Sequence, residues 1–131
     1  IREIMNRMYR NNIDGLCGND DCGQMSAWYV LSAMGFYPVC PGTDQYVIGA
    51  PYLPYMKLTL ENGKELVIKA DKVSDKNRYV KSVKLNGKPY HKAFIRQQDI
   101  MNGGELTFEM SSQPNKQRIF KGENRPYSLS E

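Results

Sequence analysis

From Gly15 to Gln24 the chain reads Gly-Leu-Cys-Gly-Asn-Asp-Asp-Cys-Gly-Gln, with two adjacent carboxylates, Asp20 and Asp21, flanked by the amides of Asn19 and Gln24. Carboxylate and amide oxygens are the donors that a hard cation or a sugar hydroxyl takes. Gly15, Gly18 and Gly23 let the backbone approach a ligand closely. The pattern therefore fits a polar-ligand or calcium site. It also fits a plainer role, in which Asp20 or Asp21 caps the helix that follows, where free N–H groups and the helix dipole favour a carboxylate. Spacing alone names no reaction.

Two elements must hold this loop. Ahead of it, Ile1, Ile4, Met5 and Met8 recur at helical spacing up to Tyr9, and Asn11, Asn12, Asp14 and Gly15 end the helix. Behind it, Gln24 to Met34 predicts a helix apolar on almost every side, with Gly35 in the left-handed closing position and Pro38 barring continuation. Such a helix belongs inside a larger body. Its apolar surface predicts self-association of the chain taken alone.

After Pro38 the signals become strand and turn. Tyr46 to Ile48 and Met56 to Leu60 read as strands. Asn62-Gly63 and Asn86-Gly87 read as hairpin turns, the second joining Tyr79–Leu85 to a strand over Tyr90–Ile95. Gln98 to Met101 reads as a helical turn, Leu106 to Met110 as the last strand, and the tail from Ser111 as surface wrapping or frayed chain. The predicted fold is α+β, with N-terminal helices packed on a small antiparallel sheet in two layers. Its parts are a helical segment with the loop (1–38), a β-rich part of the same domain (39–115) and a polar tail (116–131).

The 131 residues, 40% of them hydrophobic, suffice for one core. A mean hydropathy of −0.60 and the lack of a long apolar run exclude a membrane span. The net charge of +4 is spread over lysines that alternate with apolar positions, as on the wet face of strands, without a nucleic-acid motif. The sequence opens at Ile1, without Met or a signal-like stretch, and so reads as a piece of a longer polypeptide. Cys17, Cys22 and Cys40 are odd in number, which argues against a full disulfide framework. One disulfide with a free thiol is open, and three buried thiols is the favoured reading. Trp28 and Tyr29 are expected in core packing, Met25, Met34 and Met56 as filler, and His91 as a packed or surface residue in a strand.

The block from Gly18 to Pro38 closely resembles the C-terminal signature of glycoside hydrolase family 92. So do Pro41-Gly42, Tyr46 to Pro51, Leu85 to Tyr90 and Gly103 to Phe108, in the family's order from about Asp14 to Pro114. The resemblance implies a calcium-dependent exo-α-mannosidase that inverts the anomeric centre and acts on mannose-containing glycans, many at α-1,2 links. Inversion uses an acid on the leaving oxygen and a base behind a water, roughly 6.5–9.5 Å apart. Carried over residue by residue, the base falls on Asp21, with Asn19 in the assisting position where many relatives carry Asp. Asp20 and Gln24 are assigned to substrate or loop orientation, and Asn19 and Asp21 to part of the Ca2+ shell, whose other ligands lie upstream. The family's acid is an upstream Glu that Glu61, Glu65, Glu105 and Glu109 do not match. The chain alone is therefore expected to be inactive and to depend on upstream domains of the same polypeptide, in an exported (secreted or periplasmic) enzyme. Two other readings stand beside this one: a carbohydrate-binding β module, and a structural subdomain that props up a catalytic barrel.

Overall fold

The computed structural model describes residues 1–130. A first helix, α1 (Arg2–Met8), leads through the glycine-rich loop to α2 (Gln24–Met34). Eight strands follow: β1 (Phe36–Tyr37), β2 (Gln45–Ile48), β3 (Tyr55–Thr59), β4 (Glu65–Asp71), β5 (Tyr79–Leu85), β6 (Lys88–Pro89), β7 (Phe94–Arg96) and β8 (Gly104–Ser111). A short helix, α3 (Gln97–Met101), precedes β8, and a 3-10 turn over Gly122–Asn124 lies in the tail.

The α+β reading holds, and its sheet is divided in two. β1-β2-β7 form a three-stranded sheet and β3-β4-β8-β5-β6 a five-stranded one. The larger sheet is mixed, because β4 and β8 run parallel, with Ile68 beside Leu106 and Ala70 beside Phe108. The strand expected over Tyr90–Ile95 is broken. β6 ends at Pro89, and Phe94–Arg96 pairs instead with β2 in the smaller sheet. The pairing with β5 runs out just beyond Pro89, with Tyr90 N–H donating to the Val83 carbonyl at 2.9 Å. His91 accordingly lies outside any strand and is exposed.

Alternation explains the core. Leu66, Ile68 and Ala70 of β4 and Leu106, Phe108 and Met110 of β8 point to one face and are buried. Val80 and Val83 of β5 reach the same face although three positions apart, because a bulge between Val80 and Ser82 shifts the register. Phe36, Ile95 and Ile100 close the cluster, with Leu31 and Met34 of α2 packed against it. Gly35 turns the chain from α2 into β1 at φ +95°, a value that suits glycine. The tail wraps: Asn115 Nδ2 donates to the Lys81 carbonyl at 2.9 Å, and the Asn124 carbonyl accepts from Ala93 N–H at 2.8 Å.

Candidate functional site

The loop is pinned at both ends by Tyr9. Its backbone forms an isolated antiparallel bridge with Leu16, and its hydroxyl donates to the Met25 carbonyl at 3.0 Å. Its ring stacks on Trp28 at 5.8 Å between centroids and tilts against Tyr29 at 4.8 Å. Burial raises the pKa of the Tyr9 hydroxyl, with the Cys17 and Asp20 charges adding to it. Gly15 closes the turn that enters the loop, where a side chain would collide with the carbonyls of Arg10 and Asn12. Trp28 and Tyr29 are half-buried in this stack rather than packed in the main core. Tyr9 was not singled out in the sequence. The one signal for it is the presence of aromatic partners at Trp28 and Tyr29.

Asp20 holds the end of the loop to the helix. Its backbone carbonyl accepts the N–H of Gln24 at 2.7 Å, and its two carboxylate oxygens accept from Ser26 N–H at 2.8 Å and Ser26 Oγ at 2.7 Å. The N-cap position itself is Gly23, which has no side chain to offer. A carboxylate from upstream in the chain thus satisfies donors that a capping side chain would otherwise take. The Ser26 hydroxyl and N–H hold the Asp20 carboxyl below its ordinary pKa. Ser26 is the second residue missed in the sequence, because a cap reaching six positions forward matches no local pattern.

With Asp20 fixed, the next three residues make a left-handed turn: Asp21 at φ +46°, Cys22 at +61° and Gly23 at +89°. Asp tolerates that region, Cys less so, and each non-glycine residue there costs about 1 kcal/mol or more. The turn leaves the Asp21 carboxylate exposed, and no described residue donates a hydrogen bond to it. Asn19 and Gln24 are exposed on either side. Asn19, Asp20, Asp21 and Gln24 therefore lie in one short surface loop, Asp20 turned inward onto Ser26 and Asp21 outward.

An open cleft of about 510 Å3 runs beside the loop, between Tyr9, Asn12, Ser26, Tyr29 and Val30, and Asn19 and Asp21 do not line it. As calcium donors, Asn19 and Asp21 offer oxygens of the right kind. They fall short of the six to eight that calcium takes, and no group of three His, Cys, Asp or Glu among the described residues could hold a metal.

The thiols correct the expectation of three buried cysteines. Cys17 and Cys22 are exposed, Cys40 is half-buried, and all three are free. The first two lie in the glycine-rich surface loop, Cys22 within its left-handed turn. No helix among the described residues is long and apolar enough to cross a membrane.

The glycosyl hydrolase family 92 catalytic domain matches residues 1–112. Among solved structures, a family 92 α-mannosidase of Bacteroides thetaiotaomicron, in complex with mannoimidazole, is 45% identical with a TM-score of 0.91, covering 98% of this chain and 17% of its own. A family 92 inverting mannosidase of the same organism is 41% identical with a TM-score of 0.89, covering 99% of this chain and 18% of its own. An uncharacterized secreted glycosidase of Arthroderma benhamiae is 29% identical over 108 residues, 80% of this chain and 14% of the relative. The chain spans less than a fifth of the length of each.

Proposed function

This chain belongs to glycosyl hydrolase family 92, and we propose that it supplies the general-base loop of an inverting α-mannosidase, with Asp21 as the base. The observation that carries the reading is the pairing of roles in adjacent carboxylates. Asp20 is spent on Ser26, whereas a left-handed turn leaves the Asp21 carboxylate without a hydrogen bond from any described residue. A base that takes a proton from water needs an oxygen free to accept it and a backbone that fixes its direction. In this reading Asn19, two positions before and exposed, orients that water or the sugar, and exposed Gln24 donates to a hydroxyl.

The proton balance is simple. Water attacks the anomeric carbon from the face opposite the leaving oxygen, and Asp21 takes its proton. An acid from elsewhere in the polypeptide gives a proton to the departing oxygen. Terminal α-linked mannose, with 1,2 links as the first candidates, is the proposed substrate, supported by the mannosidase relatives. Calcium in the complete site would take Asn19 and Asp21 at most from this chain, its remaining ligands coming from other parts of the polypeptide. Export of the enzyme is supported by the secreted glycosidase among the relatives. The partner of this chain is the rest of its own polypeptide, set against exposed Ile4, Met8, Ile13 and Val30.

The test compares leaving groups in the full-length enzyme. With Asp21→Asn, the rate should fall by a similar factor on an α-mannobiose and on an aryl mannoside with a good leaving group, because the base acts on water. The product first released by the unaltered enzyme should be the β anomer. A defect that disappears on the activated substrate would make Asp21 an acid and overturn the assignment, and release of the α anomer would overturn inversion.

A further inference from the structure

The Tyr9 backbone meets Leu16 at the entrance of the loop, and the Tyr9 hydroxyl meets the Met25 carbonyl at its exit. One residue thus spans the segment that carries Asn19, Asp20 and Asp21. What holds Tyr9 in turn lies farther off. Its ring packs on Tyr29, at 4.8 Å between centroids, and Tyr29 packs on Tyr52 at 6.4 Å. The Arg2 guanidinium lies 4.5 Å from the centre of the Tyr52 ring and donates to the Pro51 carbonyl at 2.8 Å. The Tyr52 hydroxyl donates to Asn6 of α1 at 2.9 Å, and its N–H to the Ala33 carbonyl of α2 at 2.9 Å. Both helices and the segment before β3 therefore meet in one row of rings, with Tyr9 at the end that faces the loop.

The loop has little stiffness of its own, because Gly15, Gly18 and Gly23 leave its backbone many alternatives. Asp20 secures the exit alone, through Ser26. Packed aromatic rings hold a preferred relative geometry, so the row can pass the rigidity of the helices to both ends of the loop. Tyr9 lies outside the main core cluster, so its loss should leave the sheets standing. We propose that Tyr9 is a positioning residue for the hydrolysis, holding the loop so that Asp21 meets the attacking water from a fixed place. The inference rests on Asp21 being the base.

A double-mutant cycle in the full-length enzyme tests it, with kcat and KM measured on an α-mannobiose. Tyr9→Leu loses the ring and the hydroxyl, and should lower kcat about tenfold to 10²-fold with KM little changed. Tyr9→Phe keeps the ring and should lose only about threefold to fivefold, the scale of one neutral hydrogen bond. Beside Asp21→Asn, Tyr9→Leu should cost less than about twofold, because the group that it positions is gone. An equal factor in both backgrounds would mean a loss of active protein that falls on each alike, and would overturn the proposal. An unaltered kcat in Tyr9→Leu would overturn it too. Should Tyr9→Leu fold poorly, Tyr9→Phe decides: its loss must vanish beside Asp21→Asn, and the proposal falls if it persists or was never there. Failure of the base shows separately, as a loss under about tenfold in Asp21→Asn alone, and would remove both assignments.

Discussion

The Asp20 carboxylate grips Ser26 with both oxygens, one accepting the backbone N–H at 2.8 Å and the other the hydroxyl at 2.7 Å. This contact joins the loop to the first turn of α2 and fixes where the left-handed residues begin. Asp21 owes its outward direction to its neighbour.

Replacing Asp20 by Ala should therefore damage catalysis without touching substrate directly. Loss of the clamp frees the turn, and a small misplacement of a reacting group costs about tenfold to 10²-fold in rate. In the full-length enzyme, kcat should fall by that much, and Asp20→Asn should fall less because one of its two acceptors survives. Unchanged kcat in Asp20→Ala would mean that the turn holds itself.

The same contact sets an acid limit. Because the folded-state pKa of Asp20 is depressed by Ser26, its contribution to stability is complete above the unfolded value of about 3.9. It is lost as the pH falls through the lower folded value. The midpoint difference between wild type and Asp20→Asn should thus be full at neutral pH and shrink in acid. A difference that grows in acid would reverse the sign and contradict the assignment.

Gly35 makes a second test, of the joint between helix and sheets. At φ +95°, a side chain would meet Pro51 at 3.1 Å and the Phe108 ring at 3.3 Å. Gly35→Ala should destabilise by about 1–3 kcal/mol, from the strained backbone and the crowded core together. Denaturant unfolding measures it, and a loss below about 0.5 kcal/mol would show that the joint yields.

Ile13 is fully exposed and Val30 is 53% exposed. Apolar residues left in the open around one cleft favour association, so the isolated chain should show concentration-dependent mass by light scattering. Val30→Asp should reduce it. A monomer at all concentrations would remove the case for a covered face.

Much of this was legible in the sequence because local rules governed it. The helix over Gln24–Met34 follows from an apolar stretch closed by Gly35 and Pro38, and the Asn86-Gly87 hairpin from two residues that tolerate positive φ, Asn86 at +51° and Gly87 at +77°. What escaped depended on pairing across the chain. The parallel match of β4 with β8 and the transfer of Phe94–Arg96 to the second sheet join distant segments, on which period and turn chemistry are silent. The bulge in β5 escaped as well, since Val80 and Val83 would fall on opposite faces of a regular strand and nothing local marks the extra residue that brings both to one. Within the loop, composition marked Asn19, Asp20, Asp21 and Gln24 but could not divide their roles. That division rests on Ser26, whose link to Asp20 exists only once the chain is folded.

The most direct measurement is kcat of the full-length enzyme carrying Asp21→Asn, on an α-mannobiose with calcium present. Removal of a positioned base should cost roughly 10²–10⁴-fold with KM little changed. A loss under about tenfold, within reach of slight misplacement of other groups, would contradict the account and leave this chain as scaffold.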